Sequence, residues 1–142
     1  MSQSLLLPMI TLVAWSCVML VWMLALRVPA IFKARMRLDA KRPRGEQMAE
    51  LPAKIRWKAD NYNHLMEQPT LFYATVVALV LLGSTSSVAL GLAWAYTGLR
   101  VMHSLVQSLI DSVEIRFVVF ALSTLALFGL VGIALQLALQ VA

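Results

Sequence analysis

Three long segments of the chain carry no charged side chain, and this distribution limits the possible folds more than any other feature. All twelve Lys/Arg and all seven Asp/Glu of the 142 residues lie within 27–67 or 100–116. A helix of about 20 apolar residues is long enough to cross the hydrocarbon layer of a bilayer. Because 61% of the residues are hydrophobic and only 13% are charged, the composition indicates an integral membrane protein rather than a soluble domain.

The apolar segments divide into four predicted membrane helices. The stretch 60–110 is too long for one span, and the sequence GSTSS at 83–87 interrupts it with turn-forming residues. We therefore expect an all-α membrane protein, a four-transmembrane-helix bundle in one domain covering 1–142. The expected helices are about 5–27, 60–82, 88–110 and 117–141, with a basic loop at about 28–58. The start, MSQSLLLP, lacks the basic region of a cleaved signal peptide.

The basic loop predicts the orientation of the bundle. Residues 27–58 hold ten Lys/Arg against three Asp/Glu, so this loop should stay on the cytoplasmic side, with both termini on the other side. The same charge suits anionic lipid headgroups. No feature beyond charge indicates a nucleic-acid partner, and no metal-ligand spacing is present.

The third predicted helix carries a polar stripe inside an otherwise apolar span. Tyr96, Arg100, His103, Gln107 and Asp111 are spaced 4, 3, 4 and 4 residues apart, which places them on one helical face. Ionisable side chains deep in a membrane are costly and usually face the bundle interior or a wet cavity. The stripe is therefore the first candidate for a functional site.

The second predicted helix offers partners for that stripe. It opens with Asn63 or His64 and Glu67 at helical spacing, and Glu67 falls at a depth where its carboxylate could pair with Arg100. Pro69 follows and is expected to kink the helix, because it lacks a backbone N–H. Such an ion pair would either only stabilise the packing of the two helices or also form part of a polar pocket.

These residues resemble the MAPEG family, the membrane-associated proteins of eicosanoid and glutathione metabolism, over nearly the whole chain. The segments that carry the resemblance are NHLMEQPTLFYA and AYTGLRVMHSLV, which are most similar to bacterial members. The spacing of Arg100 and His103, with Arg116 sixteen residues after Arg100, resembles the prostaglandin E synthase branch.

The resemblance implies a homotrimer that binds glutathione as a cosubstrate between neighbouring subunits, in a pocket open to the cytoplasm. Asn63 and Glu67 would hold the glutathione amine and backbone, and Arg100 and His103 would line the same pocket. Arg116 would stabilise the glutathione thiolate and is the predicted catalytic residue. A bacterial inner membrane is the location that the resemblance suggests.

The chain also departs from the eicosanoid enzymes. Those enzymes open the second helix with R-x-x-x-N-x-x-E, whereas Lys58, Asn63 and Glu67 are spaced five and four apart. Gln107 stands where those enzymes use a tyrosine to contact glutathione, and Phe117 leaves no hydroxyl beside Arg116. The departures weigh most against eicosanoid substrates.

The sequence therefore predicts a glutathione-dependent transferase or peroxidase that acts on hydrophobic electrophiles or lipid hydroperoxides. Its predicted cosubstrate-binding residues are Asn63, Glu67, Arg100, His103, Tyr96 and Gln107. One alternative is a non-catalytic protein of the same fold that binds a small anion or lipid at the subunit interface. Another is a small exporter that uses Glu67 as a proton-coupled carboxylate, although exporters of this size usually place that acid in the first helix.

Overall fold

The computed structural model of the chain describes residues 2–37, 39–43, 45–110 and 112–141, and these residues form helices joined by turns and one longer loop. The helices are α1 (Leu6–Lys33), α2 (Ala53–Leu65), α3 (Pro69–Leu81), α4 (Ser87–Leu109) and α5 (Val113–Val141). Short 3₁₀ turns lie at Ser2–Leu5 and Gln47–Glu50. Since α2 and α3 follow one another across a three-residue break, the described chain makes four helical rods, and no strand occurs among these residues.

The first helix continues about six residues beyond its predicted end near residue 27 and stops at Lys33. It closes in a Schellman motif, in which the Met36 N–H donates to the Ile31 carbonyl at 3.2 Å and the Arg35 N–H to the Phe32 carbonyl at 3.1 Å. Arg35 takes the left-handed conformation, with φ of 50°. The prediction was short because it ended the helix at the first charged residue, Arg27, whereas the apolar residues that follow continue the helix to Lys33.

The second rod differs from the single helix predicted at 60–82. It begins at Ala53, about seven residues earlier, and is divided into α2 and α3 by a turn at 66–68. Pro69 is the first residue of α3, a position where its missing N–H costs no hydrogen bond. The same proline cannot donate to the carbonyl of Leu65, so α2 ends there.

The turn between α3 and α4 lies at the predicted position, and each neighbouring helix end has its own cap. Gly83 has φ of 69°, and the Ser84 N–H donates to the Leu79 carbonyl at 2.9 Å, which completes a second Schellman motif. The Ser86 side chain then accepts from the Ala89 N–H at 3.2 Å and caps α4. The α4 bounds agree with the predicted 88–110 to within one residue.

The last helix starts at Val113, about four residues before the predicted 117. Ser112 donates to the Glu114 carboxylate at 3.1 Å in its first turn. Arg116 therefore lies within the first turn of α5. Asp111, the last member of the predicted polar stripe, lies outside the described residues.

Small side chains allow α4 and α5 to pack closely. Ala89 and Ala93 of α4 and Ala126 of α5 are buried, and a Cβ on Gly129 would lie 2.9 Å from the Leu92 Cδ1. Close backbone approach through small residues is the usual way that membrane helices associate, since lipid offers no hydrophobic driving force between them.

Polar groups tie the other rods together. The Ser104 hydroxyl of α4 accepts from the Trp15 indole N–H of α1 at 3.0 Å and from the Asn61 side-chain amide of α2 at 2.8 Å. The Thr97 hydroxyl donates to the Pro8 carbonyl at 3.0 Å. These bonds join α1, α2 and α4 within the bundle interior.

Among the described residues, three helical stretches are long and apolar enough to cross a membrane: Gln3–Lys33, Ala53–Leu81 and Val113–Val141. With 23 residues, α4 is also long enough at about 35 Å. Its polar residues lower its hydropathy, but Arg100, His103 and Gln107 are buried against the other helices. The protein is thus an all-helical membrane protein in which α4 directs its polar face inward, as the spacing predicted.

Candidate functional site

Arg100 binds the end of α2. Its Nη2 donates to the His64 carbonyl at 2.9 Å and lies 3.2 Å from the His64 Nδ1. The Arg100 side chain is fully buried. A cation at a helix C-terminus satisfies carbonyls that have no partner in the helix and complements the helix dipole. Arg100 therefore closes the last turn of α2 and holds the break against α4.

A second set of contacts fixes the break from the other side. The Gln68 side-chain amide donates to the Thr124 hydroxyl at 2.9 Å, and the Tyr96 hydroxyl donates to the Gln68 carbonyl oxygen, Oε1, at 3.4 Å. The Tyr96 ring stacks on Phe72 with centroids 4.4 Å apart. Both α4 and α5 thus hold the break through the side chain of Gln68.

The expected ion pair between Glu67 and Arg100 is absent from the part of the chain that the structure describes. The Glu67 side chain is exposed, and Arg100 is bonded to His64 instead. The expectation assumed one continuous helix through Pro69. Because α2 ends at Leu65, Glu67 lies in the turn and leaves the helical face on which the pairing depended.

Four of the predicted site residues meet in one cavity of about 420 Å³, which we call the polar cavity. It receives Gln107 from α4, Arg116 from α5 and Glu67 from the break. The α2 residues that line it are Trp57, Asp60, Asn63 and His64. Side chains from three helices and the break therefore converge at the same end of the bundle.

A smaller cavity of about 240 Å³ adjoins the polar cavity and shares His64 and Arg116 with it. We call it the aromatic cavity; its other lining residues are His103, Val113, Phe117 and Phe120. The His64 and His103 rings lie 4.9 Å apart between centroids, and the Phe120 ring meets His64 edge-on at 5.6 Å. Arg116 thus stands between a polar space and an apolar one.

Several buried polar atoms at this end have no hydrogen-bond partner among the described residues. They are the Nε and Nη1 of Arg100 and the Oε1 of Gln107. The Arg100 guanidinium carbon lies 5.8 Å from the centre of the Phe120 ring, which supplies a cation–π contact. A buried polar atom without a partner costs about 1–3 kcal/mol, so the Oε1 of Gln107, which lines the polar cavity, favours a polar ligand there.

The structure separates the predicted site residues into two groups. Asn63, Glu67, Gln107 and Arg116 line the polar cavity, and His103 lines the aromatic cavity. Arg100 and Tyr96 lie behind the cavities, where their observed contacts hold the helix break. Their roles toward a ligand stay predictions.

Sequence reasoning missed Trp57, Phe120 and the role of His64. His64 was named only as an alternative to Asn63, although it lies in the last turn of α2, where carbonyl groups can accept from side chains of other helices. Lys58 turned out to face α1, with its Nζ 5.4 Å from the centre of the Trp22 ring. No signal in one sequence would have placed Phe120 against two histidines from other helices.

An all-helical membrane bundle with a polar cavity at one end defines the class of this protein. The family model described as "MAPEG family" matches residues 5–136, nearly the whole chain. The protein therefore belongs to the MAPEG family of membrane proteins in eicosanoid and glutathione metabolism, as the sequence predicted. Comparisons with curated proteins and with solved structures found no match.

Proposed function

We propose that this protein is a glutathione-dependent transferase or peroxidase that acts on hydrophobic electrophiles or lipid hydroperoxides. The observation that carries the proposal is the convergence of Asn63, Glu67, Gln107 and Arg116 on one cavity in a chain of the MAPEG family. Members of this family generally use glutathione. A cavity of about 420 Å³ also falls within the usual range for small-ligand sites.

The lining residues fit the chemistry of glutathione, which carries two carboxylates, one ammonium group and one thiol. Arg116 and the amides of Asn63 and Gln107 supply donors for anionic and carbonyl oxygens. Glu67 and Asp60 supply carboxylates for an ammonium group. The unpartnered Oε1 of Gln107 can accept a further hydrogen bond, so the cavity offers donors for anionic groups and acceptors for an ammonium group.

Arg116 is the residue that we assign to catalysis. Glutathione would supply the nucleophile, which is the thiolate and not the thiol. Stabilising the anion by about 2.7 kcal/mol lowers a thiol pKa by two units, and a guanidinium at the edge of an apolar cavity provides a charge-assisted hydrogen bond of that order. Because Arg116 also lines the aromatic cavity, the activated sulfur would face an apolar space suited to a hydrophobic electrophile.

We further propose that the protein works as a homotrimer in a bacterial inner membrane, with the polar cavity on the cytoplasmic side. The basic loop between α1 and α2 supports that orientation. Large apolar side chains on the outer faces of α1 and α5, such as Val21, Phe128 and Leu139, suit lipid or neighbouring copies.

A non-catalytic binding function is the alternative, and one observation favours it. Arg100, the most deeply buried charge, is engaged in holding α2 and not in lining the polar cavity. Among the described residues, one arginine, Arg116, then lines the cavity beside the carboxylates of Asp60 and Glu67, which suits a zwitterionic ligand even without catalysis.

Replacing Arg116 separates the two functions. With 1-chloro-2,4-dinitrobenzene and cumene hydroperoxide as probes, we expect Arg116→Ala to lower kcat at pH 7 about 25-fold, because a thiol pKa that rises from about 6.5 to about 8.5 reduces the thiolate fraction from about 76% to about 3%. Glutathione binding should weaken much less, and Arg37→Ala, which removes an exposed arginine outside both cavities, should leave both quantities unchanged. Turnover in Arg116→Ala equal to that of the unmodified protein would overturn the catalytic assignment, whereas binding without turnover in the unmodified protein would support the alternative.

A further inference from the structure

A third cavity lies between the loop that joins α1 to α2 and those two helices. Its volume is about 770 Å³, and we call it the loop cavity. Arg27 of α1, Arg56 of α2 and Arg42 of the loop line it. Met48, Leu51 and Ile55 give it an apolar wall. A cavity that joins several arginines to an apolar wall is chemically amphipathic.

The loop that closes this cavity is held by specific contacts. The Asp39 N–H donates to the Gln47 Oε1 at 2.8 Å, and the Gln47 amide donates back to the Asp39 carbonyl at 2.7 Å. Arg42 lies 3.8 Å from the Glu50 carboxylate. Leu51 is only 4% exposed. These contacts hold the loop against the two helices, so the loop forms one wall of the cavity.

Three arginines and two carboxylates, those of Asp39 and Asp60, line the loop cavity, so its described lining side chains carry a net charge of +1. The Asp39 carboxylate accepts from the Lys41 N–H at 2.9 Å, and Glu50 is paired with Arg42. Within the described ranges, neither Arg27 nor Arg56 forms an ion pair. Two guanidinium groups on separate helices therefore remain available to an anion, since each offers several donors in a fixed geometry.

We propose that the loop cavity binds the anionic end of an acyl amphiphile, a carboxylate or a phosphate, between Arg27 and Arg56. The acyl part of the same molecule packs against Leu51 and Ile55. An apolar wall argues against a fully polar anion, because such a ligand would leave that wall without a partner. Arg27 also belongs to α1, a candidate membrane span, so one wall of the cavity continues into a helix suited to lipid.

The loop cavity also adjoins the polar cavity, because Asp60 and Asn63 line both. Along α2, Arg56 and Asn63 are separated by about 10 Å. The proposed anion site at Arg56 therefore lies about two helical turns from Asn63 of the candidate site. Binding itself does not depend on the proposed function, because it requires neither glutathione nor turnover.

Native mass spectrometry of the detergent-purified protein tests this proposal in the absence of glutathione. The probes are laurate, its neutral methyl ester and dilauroyl phosphatidate. We expect one anionic probe per chain, with the ester binding at least about tenfold more weakly. Binding of laurate alone identifies a fatty-acid type of ligand, binding of phosphatidate alone identifies a phospholipid, and either result supports the proposal.

Matched variants assign the binding to the cavity. Arg27→Gln/Arg56→Gln should lose about tenfold or more in affinity for the anionic probe. Arg37→Gln/Lys41→Gln removes the same charge from exposed loop positions outside the cavity and should bind normally. Arg56→Gln alone, at an exposed helix position, should show a smaller loss in a fully folded protein.

Three results would overturn the proposal. Equal binding of the ester would remove the role of the anion, and an equal loss in the Arg37→Gln/Lys41→Gln control would reduce the effect to general attraction by a basic loop. The third result has two parts: the unmodified protein binds no amphiphile, and Arg27→Gln/Arg56→Gln binds glutathione more weakly. The two arginines would then bind glutathione instead of an amphiphile.

Discussion

At the scale of single residues, Arg100 shows how a charge inside a membrane bundle can be explained by backbone chemistry. It is fully buried and bonded to the carbonyl of His64, which lies in the last turn of a helix ended by Pro69. The cost of burying the cation is partly offset by this hydrogen bond to a carbonyl whose other donor, the Glu67 N–H, lies at the longer distance of 3.4 Å. A buried arginine was predictable from sequence, whereas its partner was not, because the partner is a main-chain group.

Replacing Arg100 tests this role. Arg100→Ala removes a charged hydrogen bond from the end of α2, so we expect the free energy of unfolding to fall by about 2–3 kcal/mol. Arg100→Lys keeps the charge but loses the planar guanidinium geometry, so its free energy of unfolding should lie between those of the unmodified protein and Arg100→Ala. Thermal unfolding followed by circular dichroism in detergent measures the effect, with Arg37→Ala as the control. A melting temperature of Arg100→Ala equal to that of the unmodified protein would contradict the role.

At the scale of helices, the sequence predicted which segments are helical but not where each one ends. The turn after Leu81 was identified because Gly83 and the serines that follow are strong turn formers. The end of α1 was missed because Arg35 adopts the left-handed conformation that usually marks glycine. Pro69 indicated a kink, but tertiary contacts of Arg100 and Gln68 decided that the kink is a full break.

Substitution of Gly83 tests how the end of α3 is stabilised. Its φ of 69° costs a residue with a Cβ about 1–2 kcal/mol, so Gly83→Ala should lower the free energy of unfolding by about that amount. Gly83→Asn should cost less, because asparagine tolerates this conformation. A Cβ at Gly83 would meet no atom within 4 Å, which excludes a steric explanation. Equal melting temperatures for the Ala and Asn variants would contradict the conformational argument.

At the scale of the whole molecule, the sequence predicted which residues belong to the candidate site better than it predicted how they are arranged. Asn63, Glu67, Gln107 and Arg116 were all named from the sequence, and the structure brings them to one cavity. Periodicity alone placed Arg100 and Tyr96 with them, but spacing along α4 cannot tell which inward-facing residues reach a cavity and which pack behind it. That distinction depends on how α2 breaks and where α5 crosses α4.

The cytoplasmic orientation that we propose rests on the basic loop and can be measured. In a Cys17→Ser background, we expect Ala49→Cys in the loop to react with an impermeant maleimide only in inverted membrane vesicles. Thr85→Cys, in the turn between α3 and α4, should react only in spheroplasts. Both positions are exposed. The opposite labelling pattern would show that the basic loop and the neighbouring cavities face away from the cytoplasm.

Calorimetric titration of glutathione into the detergent-purified protein tests the central claim most directly, with Gln107→Leu and Ser108→Ala measured beside it. Both side chains are buried in α4 and hold an oxygen without a partner among the described residues, but only Gln107 lines the polar cavity. Each substitution should therefore raise the free energy of unfolding by about 1 kcal/mol. We predict saturable glutathione binding that survives Ser108→Ala and weakens about tenfold or more in Gln107→Leu. No binding by the folded, unmodified protein, or equal binding by both variants, would contradict the assignment of the polar cavity to glutathione.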